Sequence, residues 1–305
     1  MLEKIHSVAA QVGEIVLGKQ VQIRLALACL LARGHLLIED LPGVGKTTLA
    51  HALSISLGLQ FKRVQFTNDL LPADIIGTSV FERDNSQFVF HRGPVFSQVL
   101  LADEINRASP KTQSALLEAM EERQVAAEGQ AMSLPEPFFV IATQNPMDQA
   151  GTFALPESQL DRFLMCVELG YPEAALERQL LTGSDRRDLL TTLDPALTPQ
   201  QLLRLQGEVP RVHASDALLD YVQAIAHYTR QSADFEAGLS PRAVIALLRA
   251  AQAWALMHGH PGVLPEDVQA VLAAVVGHRL APRDESRFRG AAQVGQHVLE
   301  AVPVP

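Results

Sequence analysis

Apolar residues recur at helical spacing from residue 3 to 33, interrupted at Gly18 and closed by Gly34 where a C-cap belongs, which predicts helix over that stretch. The pattern then changes. A short apolar run, HLLIE, feeds a glycine-rich loop, after which KTTLAHALSISLG resumes the helical period as far as Gly58. Three further apolar runs, FKRVQF at 61–66, QVLLADE at 98–104 and PFFVIATQN at 137–145, are continuous rather than alternating, and helical patterns such as SPKTQSALLEAMEERQ separate them. Strands of that kind belong to a mostly parallel sheet covered on both faces. Between the second and third strands, GTSVFERDNSQFVFHRGPVF alternates apolar and polar residues around RDNSQ and predicts a β-hairpin. Residues 1–170 therefore read as a three-layer α/β domain. Beyond LGYP at 169–172 every periodic segment is helical. Several carry start signals: Thr198 with Pro199 and Gln201, Ser215, and Ser240 with Pro241. Residues 171–305 read as an all-helical second domain, with GSDRRDLLTTLDPAL as a flexible connection and a frayed tail after 301.

Composition adds bounds to this outline. A chain of 305 residues has room for two domains, and 48% hydrophobic against 19% charged residues is the balance of a folded protein. The formal charge of −9 argues against a dedicated nucleic-acid coat, although it leaves room for a basic pore inside a ring. Cys29 and Cys166 both lie in apolar stretches, which favours buried thiols and a reducing cytoplasm over a disulfide. No run approaches the ~18 apolar residues of a membrane span, so membrane insertion is not expected.

Candidate chemistry begins in IEDLPGVGKTTLA. The segment Pro42, Gly43, Val44, Gly45, Lys46, Thr47 and Thr48 fits a phosphate-binding loop. Its backbone N–H groups and the start of the next helix make a nest for a β-phosphate, Lys46 adds a positive charge, and the Thr47 hydroxyl can ligate Mg²⁺. The usual pattern has glycine where Asp40 stands; aspartate is expected there because it tolerates left-handed backbone. In VLLADEIN, a strand ends on Asp103, placed to hold Mg²⁺, and Glu104, placed to polarise an attacking water. IATQNP puts Thr143 and Asn145 at another strand's carboxyl end, where ligands of open α/β sheets bind; the plain alternative is an Asn-Pro turn. Arg162 in LDRF and Arg242 in LSPRA are candidate partners of a γ-phosphate, against the commoner reading of surface ion pairs. His258 and His260 in HGHPG read as a helix end rather than a metal pair, and Trp254 as core of the second domain.

The series LPGVGKT, GPVFSQVLLADEINRASPKTQSALLEAMEERQV, FFVIATQNP, GTFALPESQLDRFLM, GYP and LSPRA resembles the MoxR family of AAA+ ATPases, over nearly the whole chain from Val16 to the helix after Pro265. The resemblance implies an AAA+ three-layer αβα core with a C-terminal helical lid, ATP and Mg²⁺ as cofactors, and ATP hydrolysis that drives chaperone-like remodelling, maturation or metal-cofactor insertion. It implies Walker A at Gly43, Gly45, Lys46 and Thr47, Walker B at Asp103 and Glu104, sensor 1 at Asn145, an arginine finger at Arg162 and sensor 2 at Arg242. It implies a homo-oligomeric, usually hexameric ring, and a separate partner protein carrying a von Willebrand factor A domain. Family inserts would fall at about 76–91 and 124–136, with Phe81, Phe88 and Phe90 of the first as candidate pore contacts. Two other classes stay open: a nucleic-acid motor similar to MCM helicases, disfavoured because the first insert sets Arg83 against Glu82 and Asp84, and a chelatase-type regulatory subunit with the same ATPase residues.

Overall fold

The apolar runs fold as strands of one sheet. In chain order the strands are β1 (Leu36–Glu39), β2 (Phe61–Gln65), β3 (Gly77–Glu82), β4 (Gln87–Arg92), β5 (Val99–Asp103), β6 (Gln124–Ala127), β7 (Gln130–Ser133), β8 (Phe139–Gln144) and β9 (Met165–Val167). The computed structural model describes residues 1–83, 86–127, 129–146, 151–182, 186–288 and 290–304. Five strands form a sheet in the order β2-β5-β8-β1-β9, and every pairing in it is parallel. The remaining four make two antiparallel hairpins, β3 with β4 and β6 with β7. The first hairpin's expected turn includes residues 84 and 85, and the second insert includes residue 128, which lie outside the described residues. β9 has no counterpart among the predicted strands, because three residues, Met-Cys-Val, are too few to establish a period.

Side-chain alternation along each strand sorts the core into two layers. Leu36, Ile38, Leu101 and Ile141 face one apolar cluster, while Leu37, Leu100, Ala102, Val140 and Ala142 face the other. Both faces are covered, as continuous apolar strands require. The helices that cover them and continue beyond are α1 (Leu2–Ile15), α2 (Gln20–Leu31), α3 (Lys46–Ser56), α4 (Pro72–Ile76), α5 (Pro110–Glu122), α6 (Glu157–Leu160), α7 (Ala174–Thr182), α8 (Arg186–Leu190), α9 (Pro199–Glu208), α10 (Asp216–Gln231), α11 (Pro241–His258), α12 (Pro265–Val276) and α13 (Ala291–Ala301). The stretch from 3 to 33 is two helices rather than one. Gly18 sits between them at φ +72°, a left-handed conformation that a helix cannot carry. Among the described residues after β9 every regular element is helical. The expected flexible connection is partly helical: α8 occupies 186–190, and the amides of Ala196 and Leu197 donate to the Ser56 carbonyl, whereas residues 183–185 are outside the described residues.

The helix starts follow the predicted signals. Thr198 and Gln201 form a reciprocal capping box, and the Ser215 and Ser240 hydroxyls accept from Leu218 N and Ala243 N. α11 packs on α12 and on α1 and α2, so the first apolar cluster runs from the sheet into the C-terminal helices. Cys29 and Cys166 are buried free thiols, and burial pushes both above the ordinary thiol range. Gly259 closes α11 in the left-handed region, His258 Nδ1 meets the Trp254 carbonyl, and His260 pairs with Asp267; among the described residues no cluster of three or more His, Cys, Asp or Glu side chains could hold a metal.

Candidate active site

At the carboxyl end of β1 the chain turns through 40–45 into α3. Gly43 and Gly45 adopt φ +85° and +99°, and Gly45 is the N-cap of α3. Open space surrounds the Cβ position of each, so it is the backbone angle that requires glycine here. Lys46 begins the helix, and its Nζ donates to the Asp40 carbonyl at 2.5 Å. Burial pushes the Lys46 ammonium below the ordinary lysine range, opposed by the nearby carboxylates of Asp40, Asp103 and Glu104.

Asp40 itself departs from expectation. It is absent from the residues with positive φ, so tolerance of left-handed backbone is not its reason for being there. Its buried carboxylate is an acceptor: Oδ1 takes the Leu41 amide at 2.8 Å, and Oδ2 takes the amides of Leu169 and Gly170 at 2.6 Å each. The start of the loop is thereby fastened to the segment that leaves β9 for the helical half.

Asp103 and Glu104 end β5 beside the loop. Thr143 Oγ1 donates to Asp103 Oδ1 at 2.6 Å and accepts the Glu104 amide at 2.9 Å, so one buried hydroxyl fixes both acids. Glu104 has φ +56°, a conformation that costs a non-glycine residue about 1–2 kcal/mol. Its side chain is held by Gln65 Nε2 at 2.7 Å and Arg107 Nε at 2.9 Å. Arg63 completes the arrangement, donating to Asp103 Oδ2 from Nε at 3.0 Å and from a terminal nitrogen at 2.7 Å. Arg63, Gln65, Asp103, Glu104 and Asn145 line one cavity of about 320 Å³ with the loop residues Pro42, Gly43, Gly45, Lys46, Thr47 and Thr48. The donor set, a hydroxyl at Thr47 and a carboxylate at Asp103, consists of hard oxygens suited to Mg²⁺; Asp103 Oδ2 accepts both Arg63 bonds, while Oδ1 accepts one bond from Thr143 and keeps a further lone pair.

A second cavity of about 360 Å³ adjoins the first, sharing Gly43, Gly45 and Thr48, with Val16, Leu17 and Tyr171 among its walls. Lys19 Nζ donates to the Tyr171 carbonyl at 2.9 Å and ties the start of α2 to this wall. Sequence reasoning missed these residues, together with Arg63 and Gln65. For the last two a signal existed: polar residues at i and i+2 toward the end of β2 must share one face of the strand.

Arg162 and Arg242 do not join the loop. They line a separate cavity of about 260 Å³ with Gly34, His35 and Leu164, residues that precede β1 and β9. In a parallel sheet this is the opposite end from the loop. Five residue steps from His35 to Asp40 span about 17 Å at the strand rise, beyond one arginine side chain. The two guanidiniums nevertheless converge on one anion, the Glu121 carboxylate: Arg162 Nε lies 3.1 Å from Oε2, and an Arg242 terminal nitrogen 2.8 Å from Oε1.

Residues 35–165 match the ATPase family associated with various cellular activities (AAA), and residues 227–297 match the AAA lid domain. The chain is 39% identical to the chaperone MoxR1 of Mycobacterium tuberculosis, over 88% of this chain and 74% of that protein. The chain belongs to the MoxR family of AAA+ ATPases. A Bacillus subtilis protein, YeaC, is 45% identical over 96% of this chain and 92% of its own. A crystal structure of a Cytophaga hutchinsonii protein superposes with a TM-score of 0.91 at 34% identity, covering all of this chain and 96% of the other. This MoxR-family chain is thus a chaperone-like ATPase with an α/β core and a helical lid. Among its described residues no helix is long and apolar enough to cross a membrane.

Proposed function

We propose that this ATPase hydrolyses Mg²⁺-ATP at a composite site, with the phosphates on the loop of one subunit and the arginines of the next, and passes the resulting motion to a protein client. The observation that carries the reading is the shared cavity in which Lys46, Thr47, Asp103, Glu104 and Asn145 converge. The amides of 43–48 and Lys46 hold the β- and γ-phosphates, and Thr47 and Asp103 hold Mg²⁺, which neutralises charge on the phosphates when bound. The base lies in the adjoining cavity against Val16, Leu17 and Tyr171. Asn145 orients a water, and Glu104 takes its proton as the water oxygen bonds to the γ-phosphorus and the bond to the leaving ADP oxygen breaks.

Arg162 and Arg242 serve the ATP of the adjacent copy, because both lie at the far end of the sheet from their own loop and already converge on an anion. That reading needs a ring, for which six copies are proposed, with core and lid dividing near residue 170. By family resemblance the client is reached through a separate protein with a von Willebrand factor A domain, in maturation or metal-cofactor insertion inside a reducing cytoplasm. On the first hairpin Phe81 and Phe88 are 49% and 70% exposed and meet edge to face at 5.2 Å, which suits a contact with such a client, whereas Phe90 turns to Phe96. Asp84, part of the charge argument against a nucleic-acid motor, lies outside the described residues.

Two substitutions test the site. Lys46→Ala is expected to abolish binding of a fluorescent ATP analogue, and Glu104→Gln to bind it normally while turnover falls. Unchanged affinity in the first, or normal turnover in the second, would remove the assignment.

A further inference from the structure

Arg279 lies just beyond α12 and has only 5% of its side chain exposed. Its guanidinium is committed to the stretch of chain that carries Arg162. Nε donates to Asp161 Oδ1 at 2.7 Å. One terminal nitrogen donates to the Leu164 carbonyl at 3.1 Å and to the Val275 carbonyl in the last turn of α12. The other donates to the carbonyls of Phe163 at 2.6 Å and Asp161 at 3.3 Å. Two neighbours reinforce the grip: His278 Nε2 meets the Phe163 carbonyl at 3.1 Å, and the Ser240 hydroxyl donates to Asp161 Oδ2 at 3.3 Å while capping α11. The segment 161–164 is thus suspended from the end of α12 and the beginning of α11, both elements of the helical half.

A buried ion pair alone is weak evidence for stability, because desolvation offsets its attraction. Burial lowers the Arg279 pKa and Asp161 opposes that shift, which is the signature of such a balance. What the pair supplies is geometry. A planar fork that binds a carboxylate and the carbonyls of 161, 163 and 164 fixes the direction in which the residue between them, Arg162, leaves the backbone, and a lysine ammonium cannot reproduce the fork.

We propose that Arg279 is a positioning residue that couples the helical lid to the Arg162 finger, so that the lid of one subunit sets the finger acting on the ATP of the next. The proposal rests on the reading of Arg162 as a finger acting across the subunit interface. Lid displacement in one subunit would then be felt at the neighbouring γ-phosphate through a handful of hydrogen bonds. The Arg162 guanidinium, paired with Glu121, stays able to leave that carboxylate for a phosphate.

The test is a complementation assay on assembled protein with Arg279→Lys. Binding of the fluorescent ATP analogue by this variant is expected to stay within about twofold of wild type, and kcat to fall by about 10²-fold, the loss that misplacement by an ångström can cause. Mixed with Glu104→Gln subunits, whose fingers are intact, it should regain turnover; mixed with Arg162→Ala subunits it should not, because both lesions lie on the donating side. Regained turnover with Arg162→Ala would place the defect in the variant's own nucleotide site and overturn the proposal, as would wild-type kcat. Failure of the control, Arg162→Ala with Glu104→Gln in proven mixed assemblies, would instead remove the finger reading beneath it. Asp161→Asn, which leaves the guanidinium its carbonyl partners, is expected to fall in the same complementation group and serves if the lysine variant does not fold.

Discussion

Asp40 occupies a position where the usual phosphate loop has glycine, and its carboxylate accepts three backbone amides. Hydrogen bonds to a charged group contribute about 1.5–3 kcal/mol, and buried donors left unpaired cost a comparable amount. Asp40→Gly, which restores the usual pattern, is therefore expected to lower stability by about 1–3 kcal/mol and to loosen ATP binding; equal urea midpoints and affinities for variant and wild type would contradict this. Glycines, lysine and acids of the site were legible because each has a chemistry tied to a fixed spacing. The partners of those groups were not. Arg63 and Gln65 were not singled out, and Thr143, read as a candidate at the strand end, bonds instead to Asp103 and the Glu104 amide; all three act across strands that only the sheet order brings together. His35 offers a pH test at the same scale. Its Nδ1 accepts the Val140 amide and its Nε2 meets the Met120 carbonyl, and burial pushes its pKa down to about 4. Between that value and the ordinary ~6.5 the unfolded chain binds a proton that the folded chain does not. The stabilisation is therefore full above about pH 6.5 and is lost as pH falls toward 4. The difference in urea midpoint between wild type and His35→Gln should shrink over that window, and a constant difference would contradict the account.

At the scale of elements, period and capping chemistry placed the long helices and the four longer sheet strands, and alternation placed the first hairpin. The exceptions have physical reasons. β9 is too short to show a period, and it takes its place in the sheet by pairing with β1. α8 lies in a stretch rich in polar residues, where Leu190 is buried in the first core cluster and tertiary packing outweighs local composition. Ser240 shows how one cap serves two ends: its hydroxyl accepts the Ala243 amide at 3.1 Å and donates to Asp161. Ser240→Ala is expected to cost about 1 kcal/mol, the usual value of an N-cap, seen as a lower urea midpoint. A midpoint equal to that of wild type would show that the cap contributes nothing to α11.

For the whole molecule, two halves could be read from the change of pattern after residue 169, but how the halves dock could not. Docking decides the chemistry, because it sets Arg242 beside Arg162 and Glu121 at the amino end of the strands, while the loop, Asp103 and Asn145 lie at the carboxyl end. On the proposed reading, a chain built this way completes its nucleotide site with the arginines of a second copy. The most direct measurement is ATP turnover in mixed assemblies of Arg242→Ala and Glu104→Gln subunits, each inactive alone. The composite site predicts that turnover returns on mixing, because an intact loop and Glu104 from one subunit meet intact arginines from the other. No return of turnover in assemblies proven to contain both subunits would contradict it and place Arg242 with its own subunit's ATP.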